Sequence, residues 1–338
     1  MKRKRFVLSG YFGFKNFGDE AILSILVNKL KEHNASITII SSDPEYTKSK
    51  YKKVRSVYTF KLSDIFGFIA KSDYLISGGG SLLQDATSLK SLIYYLVIIL
   101  IGLICRKKVI IFAQGIGPIT NPIGQALTKF LLKKCFYVSV RDKKSYNLLS
   151  QWGVKSDLLC DPVFSTKIED CEKKPSVAIQ LRDFKTMSED FIDRLALAIF
   201  KEFPNNNIEI YSLQKEIDFE VCKKLKKSLD MLTPNSKSII YSELTDDEII
   251  KNISKCEYLI AMRFHALIIG LLAKTKTLAI NYDIKVEKLA AEFNLPLINL
   301  KNEFDNEFKI LKTQNPNDYT PTLETKVFDW TNFEKAIK

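Results

Sequence analysis

Residues 258–273 read YLIAMRFHALIIGLLA. An apolar run from Tyr258 to Ala261 gives way at Met262 to a seam carrying Arg263 and His265, and a second apolar run follows from Ala266 to Ala273. Apolar segments of these lengths, back to back, indicate a buried strand passing straight into a buried helix. That pair is the repeating unit of a doubly wound parallel sheet, in which strand ends and helix starts line the ligand crevice. The chain has two histidines, so a step that needs imidazole at neutral pH has few residues to draw on. Taken alone, R-x-H is adequately explained as a salt-bridged arginine beside a histidine at a helix start. Its neighbours along the chain decide whether it carries more.

Working outward, the same alternation fills the sequence. Apolar runs at residues 5–9, 36–40, 74–77, 109–112 and 136–140, with weaker ones at 54–58 and 156–159, predict strands. Helical patterns cover 19–32, 62–71, 87–105, 122–134 and 143–151. Residues 162–175 lack periodicity and are rich in Lys, Glu and Asp, which marks a hinge. Beyond it, strands at 176–180, 208–212, 238–241, 258–262, 277–280 and 297–299 alternate with helices at 188–203, 216–229, 246–255, 264–273 and 286–293. After Lys301 the chain is polar, apart from a terminal helix over 331–338 expected to pack back on the first domain. The expected fold class is α/β, with two doubly wound domains, 1–168 and 169–338, facing one another across a cleft at the carboxyl ends of their strands.

The charge balance narrows the partners. Lys+Arg 51 against Asp+Glu 39 leaves +12, which fits nucleic acid, an anionic membrane surface or small polyanionic substrates. The lysines are scattered and no nucleic-acid module is present, so nucleic acid is set aside. The six cysteines lie far apart without C-x-x-C, which reads as reduced thiols in a cytoplasmic protein, with neither zinc nor disulfides. The start, MKRKRFVL, is basic but lacks the apolar stretch of a signal peptide. Residues 89–105, LKSLIYYLVIILIGLIC, are apolar almost throughout and are followed by Arg106, Lys107 and Lys108. This run falls short of the ~20 residues that cross a bilayer. A helix apolar all round packs inside a sheet protein; the other reading is peripheral contact with the inner face of the membrane, its tyrosines and basic end suiting an anionic leaflet.

Polar and glycine-rich clusters fall just after predicted strands. After the first comes SGYFGFKNFGDE, residues 9–20, with Asn16, Asp19 and Glu20 at a helix start. Carboxylates there repel a phosphate, so the loop suits a hydroxyl-rich sugar. Next come Gly78, Gly79, Gly80, Ser81, Gln84 and Asp85, then Gln114 in QGIGP, then Arg141 and Asp142. One such loop means little; four in succession point to a binding cleft, with Asn16, Asp19, Glu20, Gly79, Gly80, Ser81, Gln84, Asp85 and Gln114 as the acceptor side. The second half supplies cations at strand ends: Arg182, Arg263 with His265, and Lys285. With Arg141 they suit a small, highly anionic substrate gripped by arginine forks. His33, at a helix end, has no such company.

In order, SGYFGFKNFGDEAIL, SGGGSLLQD, QGIGP, VRDKKS, MRFHALI and NYDIKV make the chain, from Leu8 to about Leu289, resemble the polysaccharide pyruvyl transferase family, and particularly its CsaB-like branch. The resemblance implies a GT-B-like fold of two Rossmann-like domains, phosphoenolpyruvate as donor, and a pyruvate ketal as product, commonly across the 4- and 6-hydroxyls of N-acetylmannosamine. For that branch it implies a lipid-diphosphate-linked acceptor on the way to a secondary cell-wall polysaccharide, with no cofactor; no metal is expected, because the acidic clusters sit in the first domain, where sugar hydroxyls would lie. Its arginine and histidine fall on Arg263 and His265, its lysine on Lys285, and its further arginines on Arg141 and Arg182. Phe184 stands where tryptophan is usual, and Ile284 where proline is usual; both departures leave the charges in place.

The residues fit that chemistry on their own terms. An imidazole serves as general acid or base near neutral pH, here at His265. Arg141, Arg182, Arg263 and Lys285 would neutralise the donor's carboxylate and phosphate as phosphate departs. Two other readings stand beside this one: a GT-B glycosyltransferase using a nucleotide-sugar, for which no base pocket is evident, and a non-catalytic sugar- or lipid-binding protein.

Overall fold

A computed structural model describes residues 3–185, 187–188, 190–232, 238–301 and 305–338. The chain divides into two compact units, Met1–Ser165 with Val327–Lys338, and Thr166–Lys326.

Unit 1 runs β1 (Arg5–Ser9), α1 (Phe17–Glu32), β2 (Ser36–Ser41), α2 (Pro44–Lys50), β3 (Arg55–Tyr58), α3 (Leu62–Ala70), β4 (Tyr74–Gly78), α4 (Leu89–Ile104), β5 (Lys108–Gln114), α5 (Pro122–Leu132), β6 (Tyr137–Val140), α6 (Lys143–Gln151) and β7 (Asp157–Leu158). Its strands form one parallel sheet in the order β3-β2-β1-β4-β5-β6-β7. The order reverses between β1 and β4, which sets the crevice of a doubly wound sheet beside the loops that follow those two strands. Central strands are buried on both faces, as parallel sheets covered by helices require: every residue of β4 is buried, while edge strand β3 buries one of its four.

Unit 2 runs β8 (Lys174–Gln180), α7 (Phe191–Glu202), β9 (Asn207–Tyr211), α8 (Lys215–Leu232), β10 (Ser238–Tyr241), α9 (Asp246–Lys255), β11 (Cys256–Ala261), α10 (Phe264–Leu272), β12 (Lys276–Asn281), α11 (Ile284–Glu292), β13 (Leu297–Asn299), α12 (Asp305–Thr313) and α13 (Thr320–Glu324). Its sheet is again parallel, ordered β10-β9-β8-β11-β12-β13, with the reversal between β8 and β11. The opening stretch is therefore β11 entering α10, with Met262 and Arg263 as the junction. The helix expected over 188–203 begins at Phe191; residue 189 lies outside the described residues, as do residues 1 and 2 of the basic start.

The last helix, α14 (Thr331–Ile337), belongs to unit 1. Phe328, Trp330 and Phe333 gather around Phe112, with Phe333 at a ring separation of 5.0 Å. Lys29 bridges to Glu334 at 2.5 Å, and Tyr74 donates to the Ile337 carbonyl at 3.3 Å. Among the described residues, three α-helices had no counterpart in the sequence reading: α2, α12 and α13. α2 is a seven-residue helix that buries only Thr47, entered by Pro44 with Asp43 accepting from the Tyr46 N–H at 3.0 Å, and too brief and polar to show a 3.6-residue period.

Candidate functional site

In unit 2 the site residues collect at the switch between β8 and β11. β8 ends in Gln180, fully buried, and its side-chain amide ties the two strand ends together. The Gln180 Oε1 accepts the Arg263 N–H at 2.7 Å, and Nε2 donates to the Leu181 carbonyl at 2.7 Å. The Arg182 N–H reaches the Met262 sulfur at 3.2 Å. Arg182 and Arg263 thus stand side by side because two neighbouring strands end in register.

Arg263 is held from behind. Its Nε donates to Asp218 Oδ2 at 2.8 Å, and its Nη2 to Asp218 Oδ1 at 2.6 Å and to Gln214 Oε1 at 3.2 Å. Asp218, on α8, is completely buried and also accepts the N–H groups of Leu213 and Gln214, at 3.1 and 3.0 Å. Burial pushes the Asp218 carboxyl up, opposed by the Arg263 guanidinium. A fork gripped on two of its edges is a fixed object. The sequence reading made Arg263 a donor-binding cation; the structure commits Nε and Nη2 to Asp218 and Gln214 and leaves Nη1 as the edge available to a ligand.

Arg182 is placed differently. Its guanidinium carbon lies 5.5 Å from the centre of the Tyr282 ring, and its Nε is buried without a hydrogen-bond partner among the described residues. Phe184 meets the same ring edge-on at 5.2 Å, so an aromatic still packs where the sequence departs from the usual tryptophan. An arginine laid on an aromatic face is oriented but keeps its N–H groups for an anion.

His265 is the second residue of α10. The N-cap of that helix is Arg263, which makes no side-chain cap hydrogen bond, and the ladder starts with the Leu267 N–H to the Arg263 carbonyl at 3.2 Å. An uncapped first turn leaves its N–H groups and the positive end of the helix dipole for a ligand. The His265 ring sits edge-on to Phe264 at 5.3 Å. Lys285 is exposed in the first turn of α11, which Asp283 caps by accepting the Lys285 N–H at 2.9 Å. β12 pairs with β11, and α11 packs on α10, so Lys285 lies one helix start along from His265.

In unit 1 the structure divides the candidates. Asn16 caps α1, accepting the Gly18 N–H at 3.1 Å, so the helix starts before Asp19. Glu20 is buried; it accepts the Gly13 N–H at 2.8 Å and pairs with Lys50 at 3.0 Å, pinning the loop of residues 10–16. Asp85 accepts the N–H groups of Thr120 and Asn121, at 2.8 and 2.7 Å, which hold its carboxyl below the usual range. Gln84 bonds Thr87 at 2.6 Å. Gln114 is buried, donating to Ser77 at 2.9 Å, while its Oε1 has no partner among the described residues. Asn16, Glu20, Gln84 and Asp85 each bond within the loops of unit 1, and Gln114 does so through its amide nitrogen alone.

Asp19, Gly79, Gly80 and Ser81 form the crest. Gly80 lies in the left-handed region at φ +59, and a Cβ there would stand 2.6 Å from Asp19 Oδ1. Ser81 accepts from Arg141 Nη2 at 3.2 Å, and Arg141 Nη1 pairs with buried Asp161. Arg141, expected as a donor-binding cation, is therefore fixed within unit 1 between Asp161 and the triple-glycine turn.

Sequence reasoning passed over Asp218, Asp161, Gln180 and Gln214. Asp218 looked like any acid in a helix's first turn. Its signal was position: α8 follows β9, the strand next to β8.

Two parallel, doubly wound sheets, each with its site residues past the carboxyl ends of the strands, define a GT-B-like protein of two Rossmann-like units. Solved structures agree. An Anabaena protein, Alr3699/HepE, solved with UDP and glucose, superposes with a TM-score of 0.61 at 11% identity, covering 99% of this chain and 98% of that one. The UDP-GlcNAc 2-epimerase of Methanocaldococcus jannaschii gives 0.62 at 13%, covering 96% and 92%. A glycosyltransferase from Rickettsia africae gives 0.63 at 13%, covering 99% and 98%. At such identities the likeness is one of fold. The family profile is more specific: residues 16–284 match polysaccharide pyruvyl transferase, and the chain belongs to that family. No curated protein matches it.

Proposed function

We propose that the protein transfers pyruvate from phosphoenolpyruvate to a sugar diol, with unit 2 holding the donor and unit 1 the acceptor. The supporting observation is the cluster at the β8/β11 switch. It combines an uncapped helix start, an arginine oriented on Tyr282, a second arginine fixed by Asp218, and a histidine in the same first turn. A trianionic enol phosphate needs that density of positive charge. Arg182 and Arg263 Nη1 take the carboxylate or phosphate, and Lys285 the remaining charge.

His265 moves a proton. Donor C3 gains a proton, one sugar hydroxyl adds to C2, the C2–O bond to phosphate breaks, and a second hydroxyl adds to C2. The two hydroxyls lose two protons; C3 takes one and the leaving phosphate the other. The products are a cyclic ketal and inorganic phosphate. On the acceptor side, in this reading, Asp19 accepts hydrogen bonds from sugar hydroxyls and Ser81 donates to them, with Arg141 bonded to Ser81 at 3.2 Å.

The acceptor we favour is the 4,6-diol of an N-acetylmannosamine on a lipid diphosphate at the inner face of the cell membrane, following the CsaB-like branch. Among the described residues no helix is long and apolar enough to cross a membrane, so such an acceptor would be met at the surface. The test is phosphate release from phosphoenolpyruvate with and without a lipid-linked ManNAc–GlcNAc acceptor or a soluble mimic. Acceptor-dependent release supports the assignment; UDP release from a UDP-sugar in its place overturns it.

A further inference from the structure

One face of unit 1 is finished differently from the rest of the protein. α3, α4 and α5 pack side by side over the sheet, their inward residues Ile65, Ile69, Leu92, Leu96, Ile99 and Leu131 forming its core. Outward residues of helices in soluble proteins are ordinarily charged or polar. On α4 the outward row is Leu89, Ile93, Val97, Leu100 and Ile104, with Ile104 65% exposed. On α5 it includes Ile123, Leu127 and Phe130, with Ile123 71% exposed. Phe60, 68% exposed, and Phe66 continue the surface through the loop before α3 and α3 itself. Singly exposed apolar residues are ordinary, but a continuous apolar surface over three neighbouring helices marks a contact face.

On α4 and α5 the charges have one sign, and the single carboxylate of α3, Asp64, is paired with Lys61 at 2.7 Å. Between Asp85 and Asp142 the chain carries no carboxylate side chain, while Lys90, Arg106, Lys107, Lys129, Lys133 and Lys134 fall within that span. Several bracket the apolar rows: Lys90 in the first turn of α4, Arg106 and Lys107 just past its end, and Lys133 and Lys134 at the end of α5. Lys134 Nζ lies 5.0 Å from the centre of the Phe130 ring, placing an ammonium directly beside an apolar side chain. Apolar side chains with a basic rim complement an anionic lipid surface, where the chains enter the boundary and the ammonium groups meet headgroup phosphates. A second copy of this chain is disfavoured, because a self-complementary interface would bring the same positive rims together.

We propose that the outer face of α3, α4 and α5 docks unit 1 on an anionic phospholipid bilayer. The insertion is shallow: Leu92, Tyr95, Leu96, Ile98 and Ile99 of α4 are committed to the protein core, so only the outward row enters lipid. The face adjoins the acceptor loops. Asp85, in the loop leading into α4, binds the N–H groups of Thr120 and Asn121 just before α5, so Leu89 and Ile123 stand where the glycine crest leads into these helices. A lipid-borne acceptor would reach that crest without leaving the bilayer, a point that rests on the proposed acceptor; the docking itself does not.

The test is sedimentation of the full-length protein with vesicles of equal parts phosphatidylglycerol and phosphatidylcholine, and with phosphatidylcholine alone. The expected result is binding to the anionic vesicles that falls about tenfold or more in high salt, in phosphatidylcholine alone, in I93Q/I104Q and in K133E/K134E. These side chains face outward, so thermal unfolding midpoints should stay at the wild-type value. Phosphate release with a soluble acceptor mimic should also be unchanged, which separates failure of the docking idea from failure of the reaction. Unchanged vesicle binding in both variants, or none by the wild type at low salt, overturns the proposal. So does a solution dimer that I93Q/I104Q dissociates, which would assign the face to a second copy.

Discussion

Replacing Asp218 by Asn tests whether Arg263 is a positioned side chain or a freely moving one. The carboxylate accepts Arg263 Nε at 2.8 Å and Nη2 at 2.6 Å, and is itself wholly buried. An amide of the same shape can still accept the Leu213 and Gln214 N–H groups, but it leaves the guanidinium buried without a counter-charge. Removing one partner of a buried ion pair costs about 3–5 kcal/mol. The lower end applies here, because Gln214 Oε1 at 3.2 Å retains one contact. At about 2–4 °C per kcal/mol for a unit of this size, the unfolding midpoint of unit 2 should fall by roughly 6–12 °C. Arg263→Gln and the double variant complete a cycle in thermal or denaturant unfolding. The geometry requires the double variant to be more stable than the sum of the single losses by about 2 kcal/mol or more. For activity, Asp218→Asn should raise the KM for phosphoenolpyruvate and lower kcat together, because the fork that faces the donor is no longer fixed. Additivity within about 0.5 kcal/mol, or a single-variant loss below about 1 kcal/mol, would refute the reasoning.

The remaining expectations are more local. His265→Ala should lower kcat about 10²–10⁴-fold while the donor's Kd, by calorimetry, moves little; an unchanged kcat would remove its role in proton transfer. Arg182→Lys keeps the charge but loses the planar fork on Tyr282, so the donor's KM should rise about tenfold or more with a smaller change in kcat. Phe333→Ala empties a fully buried ring site beside Phe112 and should cost unit 1 about 3 kcal/mol or more in denaturant unfolding. Asp85, with its folded-state carboxyl held low, contributes stability that is present above the ordinary aspartate range and disappears as pH falls through the folded value. Asp85→Asn should therefore flatten the acid limb of the stability profile and leave its shape near neutrality unchanged.

Much of the fold was legible because parallel strands buried on both faces are written as unbroken apolar runs. β11 and α10, residues 256–272, show this at its plainest, and even the weaker runs at 54–58 and 156–159 correspond to β3 and β7. The loops at strand ends were legible for the same reason, since polar and glycine residues interrupt those runs. What the sequence could not display was which polar side chain faces a ligand and which faces its own loop. Glu20 and Asp85 carry the charge expected of sugar-binding residues, yet Glu20 bonds the Gly13 N–H and Lys50, and Asp85 the Asn121 and Thr120 N–H groups. Arg141 and Arg263 were read as donor-binding cations with no partner named, because Asp161 and Asp218 lie 20 and 45 residues away. The run at 89–105 was readable as a whole but not by side: only the packing of α4 separates Leu96 and Ile99 from Ile93 and Ile104.

The most direct test of the account follows the donor's C2 carbon. With phosphoenolpyruvate labelled at C2 with carbon-13 and a sugar diol acceptor, NMR should show a new ketal-carbon signal growing in step with inorganic phosphate, and absent for His265→Ala. Phosphate release without an acceptor-dependent ketal signal, or consumption of a UDP-sugar in place of phosphoenolpyruvate, would contradict it.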